Sequence, residues 1–165
     1  MNTMQLDKKI QIRSEIIALL DTIPIFDKLS HKEAKIIAGY LGLMEFAAGE
    51  TLFKEGDKGD YLCFIIDGKL EVIKTSRSTD DVIISTVGKG RSIGEMSVVD
   101  DYPRSATVKC KVRATLVALT RERFDTLLDD HPHIGVKVMR GITRLLSLNL
   151  RKTSSRLADY MMPLQ

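Results

Sequence analysis

The chain has 165 residues, of which 44% are hydrophobic and 28% charged, with a formal net charge of +3. This is the profile of one globular domain, residues 1–165, long enough to bury a substantial core. The charge falls far short of the basic stripe a nucleic-acid binder needs, no run of about 18 apolar residues could span a bilayer, and the opening MNTMQLDKKIQIR lacks the apolar centre of a signal peptide.

Residues 10–20 (IQIRSEIIALL) set Ile12, Ile16, Leu19 and Leu20 at helical spacing, and Asp21 and Pro24 close that helix. Ile25 to Leu29 forms a short apolar anchor. Ser30 then reads as an N-cap, and Glu33 completes a capping box ahead of Ala34, Ile36, Ile37 and Tyr40.

From Leu43 to Thr120 the period becomes alternating, with glycine or acidic turns every eight to twelve residues, the spacing of sandwiches and barrels. The predicted strands are Leu43–Ala47, Thr51–Phe53, Tyr61–Ile66, Lys69–Lys74, Val82–Val87, Ala106–Val112 and Thr115–Leu119. Asp67-Gly68 predicts a type I′ hairpin between two of them, and Thr75–Asp81 (TSRSTDD) a flexible surface hairpin. Cys63 and Cys110 lie in separate strand-like runs and read as buried, reduced thiols, which points to the cytoplasm.

After Thr120 the strand pattern stops. RERFDTLLDD predicts an amphipathic helix with Phe124, Leu127 and Leu128 on one side. Pro132 opens a second helix at its first turn, running to about Tyr160 with apolar positions Ile134, Val138, Ile142, Leu145, Leu146, Leu148 and Leu150. Val138, Ile142, Leu145 and Leu148 recur at spacings of three and four, as a packing face requires. Gly135 and Gly141 each lower helix stability by about 1 kcal/mol, marking the first half as a hinge. The organisation is thus helices over 1–42, a β-roll over 43–120 and helices over 121–160.

The stretch with chemistry in it runs from Gly88 to Cys110, GKGRSIGEMSVVDDYPRSATVKC. Glycines loosen the backbone before Gly94-Glu95-Met96-Ser97, which predicts a very short helical turn with free backbone N–H groups. Those donors suit a phosphate, and Arg104 adds a planar fork matched to phosphate oxygens. The carboxylate of Glu95 would repel a phosphate, so a sugar hydroxyl is its natural partner.

This arrangement, Gly94-Glu95 before a helical turn and Arg104-Ser105-Ala106 before a strand, resembles the phosphate-binding cassette of the cyclic nucleotide-binding domain family. The lead-in IPIFDKLSHKEAKIIAGYL and the stretch AGETLFKEGDKGDYLCFIIDGKLEVI are similar to the same family, so the resemblance spans residues 23–155. It departs at Ile93, where many members have phenylalanine. The resemblance implies a stand-alone α+β, mainly β fold: an eight-stranded antiparallel β-roll (a double-stranded β-helix or jelly-roll) flanked by N-terminal helices and a long C-terminal helix. It implies that Arg104 pairs with a cyclic phosphate and Glu95 with the ribose 2′-hydroxyl, with backbone N–H groups near Met96, Ser97 and Ala106 completing the cradle. Val72, Ile84 and Ser85 would line the pocket floor, and Asn149 of the long helix would reach the base. Ser105 follows Arg104 where family members carry alanine with cyclic AMP and threonine with cyclic GMP; serine there leans to cyclic AMP.

The expected function is a non-enzymatic sensor of a cyclic mononucleotide, with no cofactor, signalling through its C-terminal helix and pairing through that helix in a homodimer. A partner protein, a larger parent polypeptide or a DNA-binding subunit could each receive the signal. One alternative is a transcription-regulator fragment, although no DNA-binding module follows before Gln165. The other is a cupin-like metal enzyme, which would need histidines on strands; His31, His131 and His133 all fall in helical or helix-entry segments.

Overall fold

Two strands with nearly unbroken apolar sequence organise the architecture. In the computed structural model, which describes residues 14, 16–75, 81–100 and 102–161, these are β3 (Tyr61–Asp67) and β8 (Ala114–Thr120). They pair antiparallel, Leu62 opposite Leu119 and Phe64 opposite Val117. Those four side chains face the helices, while Cys63, Ile65, Leu116 and Ala118 face the interior of the roll. A strand buried on both faces cannot alternate apolar with polar, hence the continuous apolar run.

Around this pair stand two four-stranded antiparallel sheets. One has the order β1 (Gly42–Phe46), β8, β3, β6 (Ser92–Ile93); the other has β2 (Thr51–Phe53), β7 (Thr107–Cys110), β4 (Lys69–Thr75), β5 (Asp81–Gly88). This is the expected eight-stranded jelly-roll. Ile12 and residues 76–80 of the expected surface hairpin lie outside the described residues.

The expected hairpin at Asp67-Gly68 is not one. β3 and β4 belong to different sheets, and β4 pairs with β7 and β5. The ribbon β3–β4 runs antiparallel to β7–β8, and both turn the same corner. Gly68 sits at φ 98, where a Cβ would come 2.6 Å from the Arg113 carbonyl oxygen. The dipeptide encodes a tight turn, but the strands' partners decide whether that turn closes a hairpin or crosses between sheets. β6, with two residues, holds no periodicity and leaves no strand signal in the sequence. β7 is shorter than the expected Ala106–Val112: Ala106 leaves the ladder for the hollow described below, and the Lys111 N–H turns the corner onto the Lys69 carbonyl at 2.9 Å.

The helices cover one face. Residues 16–20 are helical (α1), a 3-10 turn follows at Pro24–Phe26, and α2 spans His31–Ile37. The capping box forms as expected, with the Ser30 N–H donating to Glu33 Oε2 at 2.7 Å and the Glu33 N–H to Ser30 Oγ at 3.4 Å. Counting the cassette's one-turn α3 (Met96–Val99), the C-terminal pair is α4 (Arg121–Asp130) and α5 (Pro132–Met161). Phe124, Leu127, Ile134, Val138 and Ile142 enter the helical core with Phe26 and Phe64, whose ring centroids are 4.8 Å apart.

Along α5 the expected packing face holds through Leu145, but Leu148 is 58% exposed. The two glycines mark close approach rather than a hinge. A Cβ on Gly141 would lie 2.1 Å from the Ile25 carbonyl oxygen, and one on Gly135 would lie 2.4 Å from Leu128 Cδ2. Ion pairs of Lys137 with Glu33 and of Arg144 with Asp27, each at 2.7 Å, fasten the same half of the helix to the N-terminal segment. Among the described residues no helix is long and apolar enough to cross a membrane.

Candidate functional site

Arg104 is 3% exposed, the most buried cation in the described structure. It lies in the loop between α3 and β7. Its guanidinium carbon stands 4.0 Å from the centroid of Phe53 on β2 and 4.6 Å from that of Tyr61 on β3. Such stacking suits a delocalised planar cation. Nη2 donates to the Tyr61 carbonyl at 2.8 Å and Nη1 to the Gly94 carbonyl at 3.2 Å. Nε, fully buried, has no hydrogen-bond partner among the described residues. Burial lowers the pKa of this arginine, yet a guanidinium keeps its charge at neutral pH. A buried, incompletely satisfied cation is a costly feature unless something charged or polar meets it.

The loop before α3 exists in this form because of Gly94. At φ 80 a side chain would be strained, and its Cβ would meet Arg104 Nη1 at 2.5 Å. The left-handed residue also delays the helix: α3 is Met96–Val99, two residues later than Gly94–Ser97. Glu95 stands at its N-cap position without making a side-chain cap. It is buried, and that burial pushes its carboxyl pKa up, opposed by a backbone hydrogen bond and the positive charge of Arg91. A buried acceptor and a buried cation are thus placed on one wall.

Two adjoining hollows open here. The smaller, about 90 Å³, is lined by Val72, Gly94, Glu95, Met96, Ser97, Arg104, Ser105 and Ala106 with Phe53, Ile93 and Val108. The larger, about 490 Å³, lies between β5 and α5 and is lined by Val72, Ile84, Ser85, Glu95, Met96 and Asn149, among others. They share Val72, Ile93, Glu95 and Met96. Each of the eleven residues singled out from the sequence lines one or both of these adjoining hollows.

Sequence reasoning missed the aromatic bed of Arg104, Phe53 and Tyr61, because nothing local ties two strand residues to a loop far downstream. It also missed Arg91, Lys152, Thr153 and Arg156 in the larger hollow. Asn149, Lys152, Thr153 and Arg156 form one helical stripe by their spacing, so the residues beside Asn149 on its own helix face were the available signal. Lys74 went unnoticed too: its ammonium reaches the Ser105 carbonyl at 2.7 Å and pairs with Glu55, bracing the Arg104 loop against β4.

The three histidines sit at the start of α2, between α4 and α5, and within α5. Among the described residues no group of three His, Cys, Asp or Glu side chains could hold a metal ion. Cys63 is buried and its thiol pKa is pushed up to about 12 by that burial, which removes it from nucleophilic chemistry.

Comparison with known proteins gives this geometry a family. Residues 43–131 match the model of the cyclic nucleotide-binding domain. A CRP-like cAMP-activated global transcriptional regulator of Mycobacterium tuberculosis is 31% identical over 139 residues, 83% of this chain and 59% of that protein. The cAMP-dependent protein kinase regulatory subunit of Schizosaccharomyces pombe is 31% identical over 127 residues, 77% of this chain but 29% of that protein. The chain thus spans between about a third and three fifths of these relatives. Among solved structures, a cyclic nucleotide-binding domain from Methylobacillus flagellatus superposes with a TM-score of 0.82 at 30% identity, covering 93% of this chain and 86% of that one. The match covers the roll, the cassette and the start of the C-terminal helices, and on it the chain belongs to the cyclic nucleotide-binding domain family.

Proposed function

We propose that the composite hollow binds a cyclic mononucleotide and that the chain is a non-enzymatic sensor of it. The observation behind this reading is Arg104: a buried guanidinium with an unpartnered Nε among the described residues, beside the amides that open α3. A cyclic phosphate carries one negative charge shared by two exocyclic oxygens, which suits one guanidinium and a few N–H donors. In this proposal Arg104 meets the phosphate, the N–H groups near Met96, Ser97 and Ala106 complete the cradle, and Ser105 adjoins it. Glu95 accepts from the ribose 2′-hydroxyl. The base extends into the larger hollow, between Val72, Ile84 and Ser85 of the sheet and Asn149 of α5. Cyclic AMP is favoured over cyclic GMP, supported by relatives that are cAMP-activated or cAMP-dependent and by an amide at Asn149 able to donate and accept together, as adenine asks.

Output through α5 is part of the proposal, because the larger hollow is walled on one side by that helix. So is a homodimer. Met139, Thr143, Leu146, Leu150, Thr153, Leu157 and Tyr160 repeat with alternating steps of four and three, the seam of a coiled coil, and Leu150, Leu157 and Tyr160 are 68%, 58% and 89% exposed. A cytoplasmic setting is supported by the two free buried thiols. Calorimetric titration with cyclic AMP and cyclic GMP tests the reading: saturable binding, tighter for cyclic AMP, is expected. No heat and no thermal stabilisation with either nucleotide at millimolar concentration would overturn it.

A further inference from the structure

Arg121 lies outside both hollows, at the junction of β8 and α4, and still reaches the cassette with its guanidinium. Its Nη2 donates to the carbonyl of Asp100 at 2.7 Å, to that of Ser97 and, more weakly at 3.5 Å, to that of Gly59. Its own backbone N–H donates to the Asp60 carbonyl at 2.7 Å. Ser97 is the second residue of α3 and Asp100 its C-cap; in a single turn such carbonyls lack helical partners and carry partial negative charge. A single-turn helix has too few internal bonds to hold its own orientation. Gly59 closes the bracket from the other side, since a Cβ there would lie 2.0 Å from Ser97 Cβ.

We infer that Arg121 is the positioning residue of the nucleotide cradle: it clamps the carbonyls of Ser97 and Asp100, thereby aiming the leading N–H groups of α3 and Glu95, and it ties that aim to α4. This rests on the cyclic-nucleotide reading for the identity of the ligand, but not for the clamp itself. Because the clamp joins the cassette to α4, which packs directly on α5, any change in α3 on binding pulls on the helical pair. By thermodynamic reciprocity, whatever displaces α4 changes affinity at the cradle by the same factor. Arg121 touches no ligand in this scheme; Lys also carries several donors, but on a freely rotating ammonium without the guanidinium's planar, pre-organised fork, so it replaces Arg only in part.

The experiment compares wild type with Arg121→Lys and Arg121→Gln in two measurements. In the first, without nucleotide, amide exchange of residues 96–100 should rise at least about tenfold in the Gln variant and less in the Lys variant, while strands β3 and β8 keep wild-type protection. In the second, cyclic AMP affinity should fall about tenfold or more for Gln, with partial rescue by Lys. Saturating nucleotide should then alter exchange in residues 121–146 of wild type but not of the Gln variant. Wild-type exchange at 96–100 in both variants would overturn the clamp whatever the ligand. Wild-type affinity and an unchanged α4–α5 response in the Gln variant would overturn its role in binding. If wild type itself ignores cyclic AMP, the functional reading fails and the first measurement still decides the clamp. Should the Gln variant not fold, the Lys variant carries both comparisons.

Discussion

Arg104 concentrates the site's electrostatics in one side chain. A unit-charge pair at about 4 Å in an effective dielectric near 20 amounts to roughly 4 kcal/mol before desolvation, and deleting one partner of a buried pair costs about 2–5 kcal/mol. Arg104→Ala is therefore expected to weaken cyclic AMP binding at least about thirtyfold, with the far-ultraviolet dichroism of the roll retained. Arg104→Lys should recover only part, because an ammonium lacks the planar fork that rests on Phe53 and Tyr61 while spanning two oxygens. Glu95 makes a separate prediction. 2′-Deoxy cyclic AMP should bind wild type more weakly than cyclic AMP, and Glu95→Gln should shrink that difference; equal affinities in wild type would assign Glu95 to the loop alone. A third residue speaks to stability. Hydrogen bonds from Lys137 first, then from the Ser30 N–H, hold the Glu33 carboxyl down to about 2. Its folded pKa lies below the unfolded value near 4.5, so the stabilisation is complete above that value and is lost as pH falls from about 4.5 toward 2. Glu33→Gln should cost about 1–2 kcal/mol at neutral pH and flatten the acid limb of a stability–pH profile measured by urea unfolding.

At the scale of elements, α5 has two halves with different obligations. The first is pinned by Gly141 against the Ile25 backbone, by Ile134, Val138 and Ile142 in the core, and by the Glu33 and Asp27 ion pairs. Alanine at an exposed helical glycine would add about 1 kcal/mol of stability. At Gly141 the added methyl meets backbone at 2.1 Å, and overpacking against a backbone that cannot give way costs toward the upper end of about 1–3 kcal/mol, more than that gain. Gly141→Ala is thus expected to lower the melting temperature, and a rise would show that the helix can shift away from Ile25. The second half, past Leu146, has no such anchor among the described residues. Whatever motion nucleotide produces in α5 should begin there and at the α4 junction rather than at the glycines.

For the molecule as a whole, the exposed seam on α5 and the hollow it walls make one prediction. Truncating the chain from Leu145 onward should weaken cyclic AMP binding, since Leu145 and Asn149 leave the larger hollow, and should abolish any dimer detected by sedimentation. Leu150→Glu with Leu157→Glu separates the two roles. Neither side chain lines the hollow, so dimerisation should be lost with affinity changed less than in the truncation. A truncated chain that binds as wild type does would confine recognition to the roll.

Much was determined by sequence alone, wherever the physics is local. The capping box at Ser30 and Glu33, the helix start at Pro132 and the apolar runs of β3 and β8 follow from neighbours a few residues apart. The Gly94-Glu95 and Arg104-Ser105-Ala106 pattern was legible because a backbone that must present N–H groups constrains residues in a short span. The tertiary structure decided what depends on partners distant in the chain. Asp67-Gly68 encodes a turn, but only β7 and β5 waiting on the second sheet make it a corner. Gly135 and Gly141 read as weakness until Leu128 and Ile25 press against them. Arg104 acquires its aromatic bed, and Arg121 its carbonyls, only when β2, β3, the cassette and α4 converge. A side chain's chemistry is written at its own position, whereas its work is set by whichever groups folding brings within a few ångströms.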